Sequence, residues 1–156
     1  MEDLIISNKD SAPKAFSKDA FSKVVNASLF PNLKTFVACN VKGVNNSNLG
    51  TLDLSKMYSL QKIDLRGTAI QLVAPNGNQL QELYLQAPTS LSLIGKNNLT
   101  TLSIADNSAL TNLTITDSTS VVYDYAIATI LDKYSSGLTA NIEIGSDDNK
   151  YNMSET

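Results

Sequence analysis

The feature that most limits the fold is a spacing. The stretch LQKIDLRGTAI begins at Leu60, and its apolar residues Leu60, Ile63, Leu65 and Ile70 stand at offsets 0, 3, 5 and 10. An amphipathic helix needs apolar groups at i, i+3, i+4 and i+7, and a half-buried strand needs strict alternation, so neither element alone explains it. The pattern returns in LQELYLQAPTSL from Leu80 and LTTLSIADNSAL from Leu99, 20 and 19 positions further on each time. A second series lies between: LGTLDLSKM from Leu49, IQLVAP from Ile70, LSLIGK from Leu91 and LTNLTITDS from Leu110. A weaker pair, LKTFVACN from Leu33 and VKGV from Val41, precedes both. Such a chain turns roughly every ten residues and completes a unit roughly every twenty.

In L-x-x-L-x-L the last two apolar residues are two apart, which in a strand places both on one face. The first enters from the preceding corner. After each strand come turn formers: Arg66-Gly67-Thr68, Ala87-Pro88-Thr89-Ser90, Asp106-Asn107-Ser108 and Thr116-Asp117-Ser118. Their side chains and backbone freedom favour a reversal. The next apolar group then re-enters from the far side. One unit alone cannot hide its apolar edge, so successive units are expected to pack with their Leu residues in ladders. A chain of 156 residues, 42% hydrophobic and only 17% charged, has the material for one folded domain.

These segments resemble leucine-rich repeats, whose motif is L-x-x-L-x-L followed by a polar turn and another Leu. The resemblance covers residues 29–122. The short units, strand-like on both sides, look like those of leucine-rich proteins of gut Bacteroidetes and gut bacteriophages. LRGTAIQLVAPNG and LQELYLQAPTSLSLIGKNNLTTLSI look like repeats of phage tail-associated proteins. Where the family often has Asn two or three residues after the last Leu, Asn107 fits, but Gly67 or Thr68 and Pro88 depart from it. The resemblance implies an α/β solenoid, a right-handed, β-rich series of short coils. It also implies a non-enzymatic module that binds a protein or a surface glycan through a sheet face. The alternative is a structural component, or an appended domain, of an assembly such as a phage tail or virion, with self-association through the faces.

Terminal edges of a repeat array need covers. Residues 1–28 read as an N-terminal segment ending in a capping helix, FSKDAFSKVVNAS. Ser17 is the expected N-cap, Phe16 and Phe21 form a hydrophobic staple, Phe21, Val24 and Val25 supply the apolar stripe, and Asn26 ends it. Residues 123–145 read as a longer last repeat. In it the helix DYAIATILDKYSSG is capped by Asp124 and stopped by Gly137, and the strand NIEIGS turns Ile142 and Ile144 inward. Residues 146–156 are polar and read as a flexible tail.

Composition removes several chemistries. There is no histidine, which excludes Ser-His and Cys-His catalysis and most zinc sites. The one cysteine, Cys39, has no disulfide partner within the chain and is expected to be a buried small residue. Residues 1–48 carry +2 and residues 49–156 carry −5, with no basic stripe to neutralise phosphates, so nucleic acid is disfavoured as a partner. No apolar run is long enough for membrane insertion. The opening MEDLIISNKDSAPKAF lacks the basic and apolar regions of a signal peptide, so no secretory leader is expected in it. Asp147, Asp148 and Asn149 lack the ligand spacing of a calcium loop, and neither metal nor cofactor is expected.

The candidate site is the outward side of the strands. Lys62, Asp64 and Arg66 flank the inward residues of one unit, Glu82, Tyr84 and Gln86 those of the next, and Thr101, Ser103 and Ala105 those of a third. Neighbouring strands lie about 4.8 Å apart, which sets Lys62 beside Glu82 and Asp64 beside Tyr84. Such a patch is either a partner-binding surface, Tyr and Arg being frequent anchors, or a set of cross-strand pairs serving solubility and register. As an acid–base pair, Asp64 and Glu82 would lie in the open beside Lys62 and Arg66, where solvent keeps carboxylates ordinary, so no enzyme is expected. On the second face, Thr51, Asp53 and Ser55, then Asn112, Thr114 and Thr116, read as outward. Leu72 and Leu93 either form an exposed apolar spot for a subunit contact or turn inward.

Overall fold

The computed structural model describes residues 1–7, 15–44, 49–104, 109–118 and 139–144. In chain order its elements are β1 (Asp3–Ser7), α1 (Ala20–Val24), β2 (Thr35–Cys39), β3 (Thr51–Asp53), β4 (Lys62–Asp64), β5 (Gln71–Val73), β6 (Glu82–Leu85), β7 (Ser90–Ile94), β8 (Thr101–Ile104), β9 (Asn112–Ser118) and β10 (Thr139–Ile144). Every pairing among these strands is parallel. They form three sheets, ordered β1-β2-β4-β6-β8, β10-β9-β7 and β3-β5.

The segments from Leu33, Leu60, Leu80 and Leu99 each supply a strand of the first sheet, whereas those from Leu49 and Leu110 supply β3 and β9 of the other two. Phe36, Ile63, Leu83 and Leu102 align across it in register and are buried, with Leu4 at the β1 end of the row. The leading residues Leu33, Leu60, Leu80 and Leu99 are buried at the corners. There the backbone repeats a single device, one carbonyl accepting two consecutive N–H groups from the next unit. Glu2 C=O accepts from Lys34 and Thr35, Lys34 C=O from Gln61 and Lys62, Gln61 C=O from Gln81 and Glu82, and Gln81 C=O from Thr100 and Thr101. From the other side come Leu52, Leu72, Leu91, Leu93, Leu113 and Ile115, and all join one continuous core. Leu72 and Leu93 therefore turn inward.

The expected right-handed α/β leucine-rich-repeat solenoid is not what the described residues form. Among the described residues the fold is β-rich, with parallel strands divided over three small sheets and α1 as the one helix. Apolar periodicity decides which side chains turn inward. Whether one strand bonds to the next depends on backbone groups meeting. Between β5 and β7 this fails: they belong to different sheets, with a cleft of about 410 Å³ there. Side chains bridge the division. Gln71 Oε1 accepts from the N–H and hydroxyl of Thr89, both at 3.0 Å, and Lys96 Nζ donates to Gly77 C=O at 3.0 Å.

The N-terminal helix is a correction as well. It spans only Ala20–Val24, and Asp19 at its N-cap has φ 62 and makes no side-chain cap. Ser17 does not serve as the cap. Tertiary bonds hold the preceding chain out of the helix: Phe16 bridges Gly43, its N–H donates to Lys42 C=O, and the Asp19 N–H donates to Leu49 C=O. Phe16 and Phe21 do stack, with centroids 5.3 Å apart. In so short a helix only Phe21 and Val25 reach the core, and Val24 faces solvent. β1 lies where the apolar spacing gives no sign of a strand. The expected helix at 124–137 and the polar tail lie outside the described residues, whereas the expected strand at its end is β10.

Candidate functional site

The outer side of the five-stranded sheet carries two aligned rows. One is Asp3, Thr35, Lys62, Glu82 and Thr101, and the other is Ile5, Val37, Asp64, Tyr84 and Ser103. Lys62 is therefore directly opposite Glu82, and Asp64 opposite Tyr84. Arg66 and Gln86 follow their strands and join the same cluster.

Its centre is Arg66. The guanidinium grips the Asp64 carboxylate in a two-pronged pair, Nε to Oδ1 at 2.9 Å and Nη2 to Oδ2 at 2.5 Å. The Arg66 backbone N–H adds a bond to Oδ1 at 3.2 Å. The same guanidinium carbon stands 4.4 Å from the centroid of the Tyr84 ring, and Lys62 Nζ stands 5.8 Å from it. Tyr84 donates its hydroxyl hydrogen to Glu82 Oε1 at 3.0 Å, and Lys62 lies 3.9 Å from the other Glu82 oxygen. Gln86 Oε1 accepts from the Gly67 N–H at 3.3 Å. Lys62, Asp64, Arg66, Glu82 and Tyr84 thus form one hydrogen-bonded and ring-stacked cluster on adjoining strands, and Gln86 is tied to it through the Gly67 backbone.

Asp64 corrects the expectation of an open, solvent-screened carboxylate. It is only 3% exposed, because Arg66 folds back over it. Burial works to raise its pKa, but the side-chain and backbone hydrogen bonds from Arg66 outweigh this and hold it below the ordinary carboxylate value. Arg66 is shifted up in turn, chiefly by its bond to Asp64. The bond to Glu82 raises the Tyr84 phenol. Cys39 is half-buried instead of buried, since alternation along β2 turns Phe36 and Ala38 inward and leaves Cys39 on the outer side. Its Sγ approaches Asp64 C=O at 3.9 Å, and burial heads the causes that raise its thiol pKa.

The cluster carries two bases and two acids, and its ion pairs are largely satisfied within it. What it presents outward is an Arg66 side chain 55% exposed yet held against Asp64 and Tyr84; the half-buried Val37 stands opposite Asp64, and the exposed Ile5 one strand further along the row. Ile5 belongs to β1, which the repeat pattern did not reveal. Its alternation is too short, and it lies outside the twenty-residue rhythm. The arrangement offers a fixed, multi-donor cation on the outer side of the sheet. Among the described residues no group of three carboxylate, thiol or imidazole side chains is placed to hold a metal ion. No helix among them is long and apolar enough to cross a membrane.

No family model matches this chain, and no curated protein or solved structure matches it significantly. The leucine-rich-repeat resemblance rests on motif spacing alone.

Proposed function

We propose that this chain is a non-enzymatic recognition module that presents the outer side of its five-stranded sheet to a protein. The observation that carries the reading is the Arg66–Asp64–Tyr84 arrangement. An exposed arginine is already oriented by a buried carboxylate and an aromatic ring, so little of its rotamer freedom remains to be lost on binding. Arginine and tyrosine at the middle of such a surface, with Val37 and Ile5 further along the same row, fit the composition of interface anchors. A protein fits better than a glycan, because the Tyr84 ring that would stack on a sugar is already engaged by Arg66.

The test uses a partner captured by the wild-type chain. Tyr84→Ala and Arg66→Lys should each weaken its binding about tenfold or more, as hot-spot residues do. Unchanged affinity, with both variants folded by circular dichroism, removes this face from the reading. A second reading, a subunit or appended domain of a larger assembly such as a phage tail, has its own observation. The outer edge of β1 pairs with no strand among the described residues, and Ile5 on it is 65% exposed. Light scattering separates the two: a monomer supports recognition, and ordered self-assembly supports the subunit.

A further inference from the structure

The turn that leaves β5 reads Pro75-Asn76-Gly77-Asn78. Pro75 is buried, while Asn76, Gly77 and Asn78 are all exposed. Gly77 has φ 84, the left-handed region that glycine enters without strain, and open space surrounds the position where a Cβ would stand. This places an asparagine amide in solvent directly before a glycine that has no side chain of its own and open space on its Cβ side.

The same three residues are tied to three other segments. The Asn76 N–H donates to Ser55 C=O at 2.9 Å. Gly77 C=O accepts from Lys96 Nζ at 3.0 Å, and Asn78 C=O accepts from Asn98 Nδ2 at 2.8 Å. One bond reaches back to the unit before and two reach forward to the unit after. The Lys96 bond is one of the side-chain bridges across the β5–β7 division. Lys96 itself is 4% exposed and its aliphatic stem is packed away, so it cannot follow a displaced carbonyl far.

We propose that Asn76 is a spontaneous modification site, where conversion to an isoaspartyl link loosens the turn between β5 and β6. The Gly77 nitrogen attacks the Asn76 side-chain carbonyl carbon. A C–N bond forms there, the bond from that carbon to Nδ2 breaks, and the proton lost from Gly77 departs with Nδ2 as ammonia. Water then adds across one of the two C–N bonds of the resulting cyclic imide. Opening at the side-chain carbonyl leaves Asp, and opening at the main-chain carbonyl leaves isoaspartate. Water is the only other reactant. The isoaspartyl product carries an extra methylene in the main chain between the Asn76 N–H and the Gly77 C=O. The bonds to Ser55, Lys96 and Asn98 cannot then all keep their geometry. The product also adds a negative charge at the rim of the β5–β7 cleft, which Asn76 and Lys96 both line.

The experiment ages the whole chain at mildly alkaline pH and follows each asparagine by peptide mapping, with fragmentation that separates aspartate from isoaspartate. Asn76 should convert ahead of Asn26, Asn32 and Asn98, and Gly77→Ala should slow it severalfold. Conversion at Asn76 no faster than at Asn98 would overturn the site. The second arm compares thermal midpoints. The isoaspartyl fraction should melt below both fresh protein and Asn76→Asp, which has the charge without the added methylene. Equal midpoints for the isoaspartyl fraction and Asn76→Asp would overturn the loosening.

Discussion

Thr68 is completely buried in the turn after β4, and its hydroxyl works in both directions. Oγ1 donates to Ala38 C=O at 2.5 Å and accepts from the Val41 N–H at 3.0 Å. One hydroxyl thus fastens the turn after β2 to the turn after β4. Thr68→Val keeps the shape and deletes both bonds. The Val41 N–H is left buried without this acceptor, and Ala38 C=O loses a donor. A buried group orphaned in this way costs about 1–3 kcal/mol, so the pair should cost about 2–4 kcal/mol. Thr68→Ser keeps the hydroxyl and removes one methyl, which costs about 1 kcal/mol. Urea unfolding followed by circular dichroism measures both. With a slope of about 1–3 kcal/mol per molar urea, a loss of about 3 kcal/mol lowers the midpoint by about 1–3 M at unchanged slope. If valine costs no more than serine, the hydroxyl bridge contributes nothing and the reasoning fails.

Three further outcomes follow from the same structure. Leu83 is 0% exposed, so Leu83→Asp should abolish the cooperative unfolding transition by burying a charge at a cost of several kcal/mol. Tyr84→Asp, one residue along and on the outer side, should cost about 1 kcal/mol; similar damage at both positions would contradict the assigned faces. Gly67 has φ 73, and a Cβ there would run into the Asn40 side chain, so Gly67→Ala should cost about 1–3 kcal/mol by thermal melting. Gly77→Ala, also left-handed but in open space, should cost less, and the opposite order would argue against the contact. Asp64 has a folded pKa below its unfolded value, so its stabilisation is complete above the unfolded value and is lost as pH falls through the folded one. Asp64→Asn should therefore flatten the acid limb of the stability curve, and an unchanged limb would assign it to other carboxylates.

The candidate face shows how far a pattern can be read. Register set Lys62 against Glu82 and Asp64 against Tyr84 because a unit length near twenty residues, with period-two alternation, leaves little choice once strands are parallel. The burial of Asp64 was not legible. It depends on Arg66 folding back over its own strand, a rotamer choice that the neighbouring Tyr84 ring rewards. Ile5 joined the face only because β1 lies beside β2, a pairing between segments that share no motif.

What the chain determines locally is the inward set. Leu60, Ile63, Leu65, Leu80, Leu83, Leu85, Leu99 and Leu102 are buried because hydrophobic spacing acts residue by residue and needs no knowledge of distant partners. Sheet membership is different. It depends on whether backbone donors and acceptors from separate units come within bonding distance, and between β5 and β7 they do not. The length of α1 was likewise decided by distant groups: Lys42, Gly43 and Leu49 hold the chain from Phe16 to Asp19 out of helical geometry, against the local signals in FSKDAFSKVV. Short-range preferences amount to tenths of a kcal/mol per residue, whereas a satisfied backbone bond and a filled core position are worth about 1 kcal/mol or more each. Where the two conflict, tertiary contacts prevail.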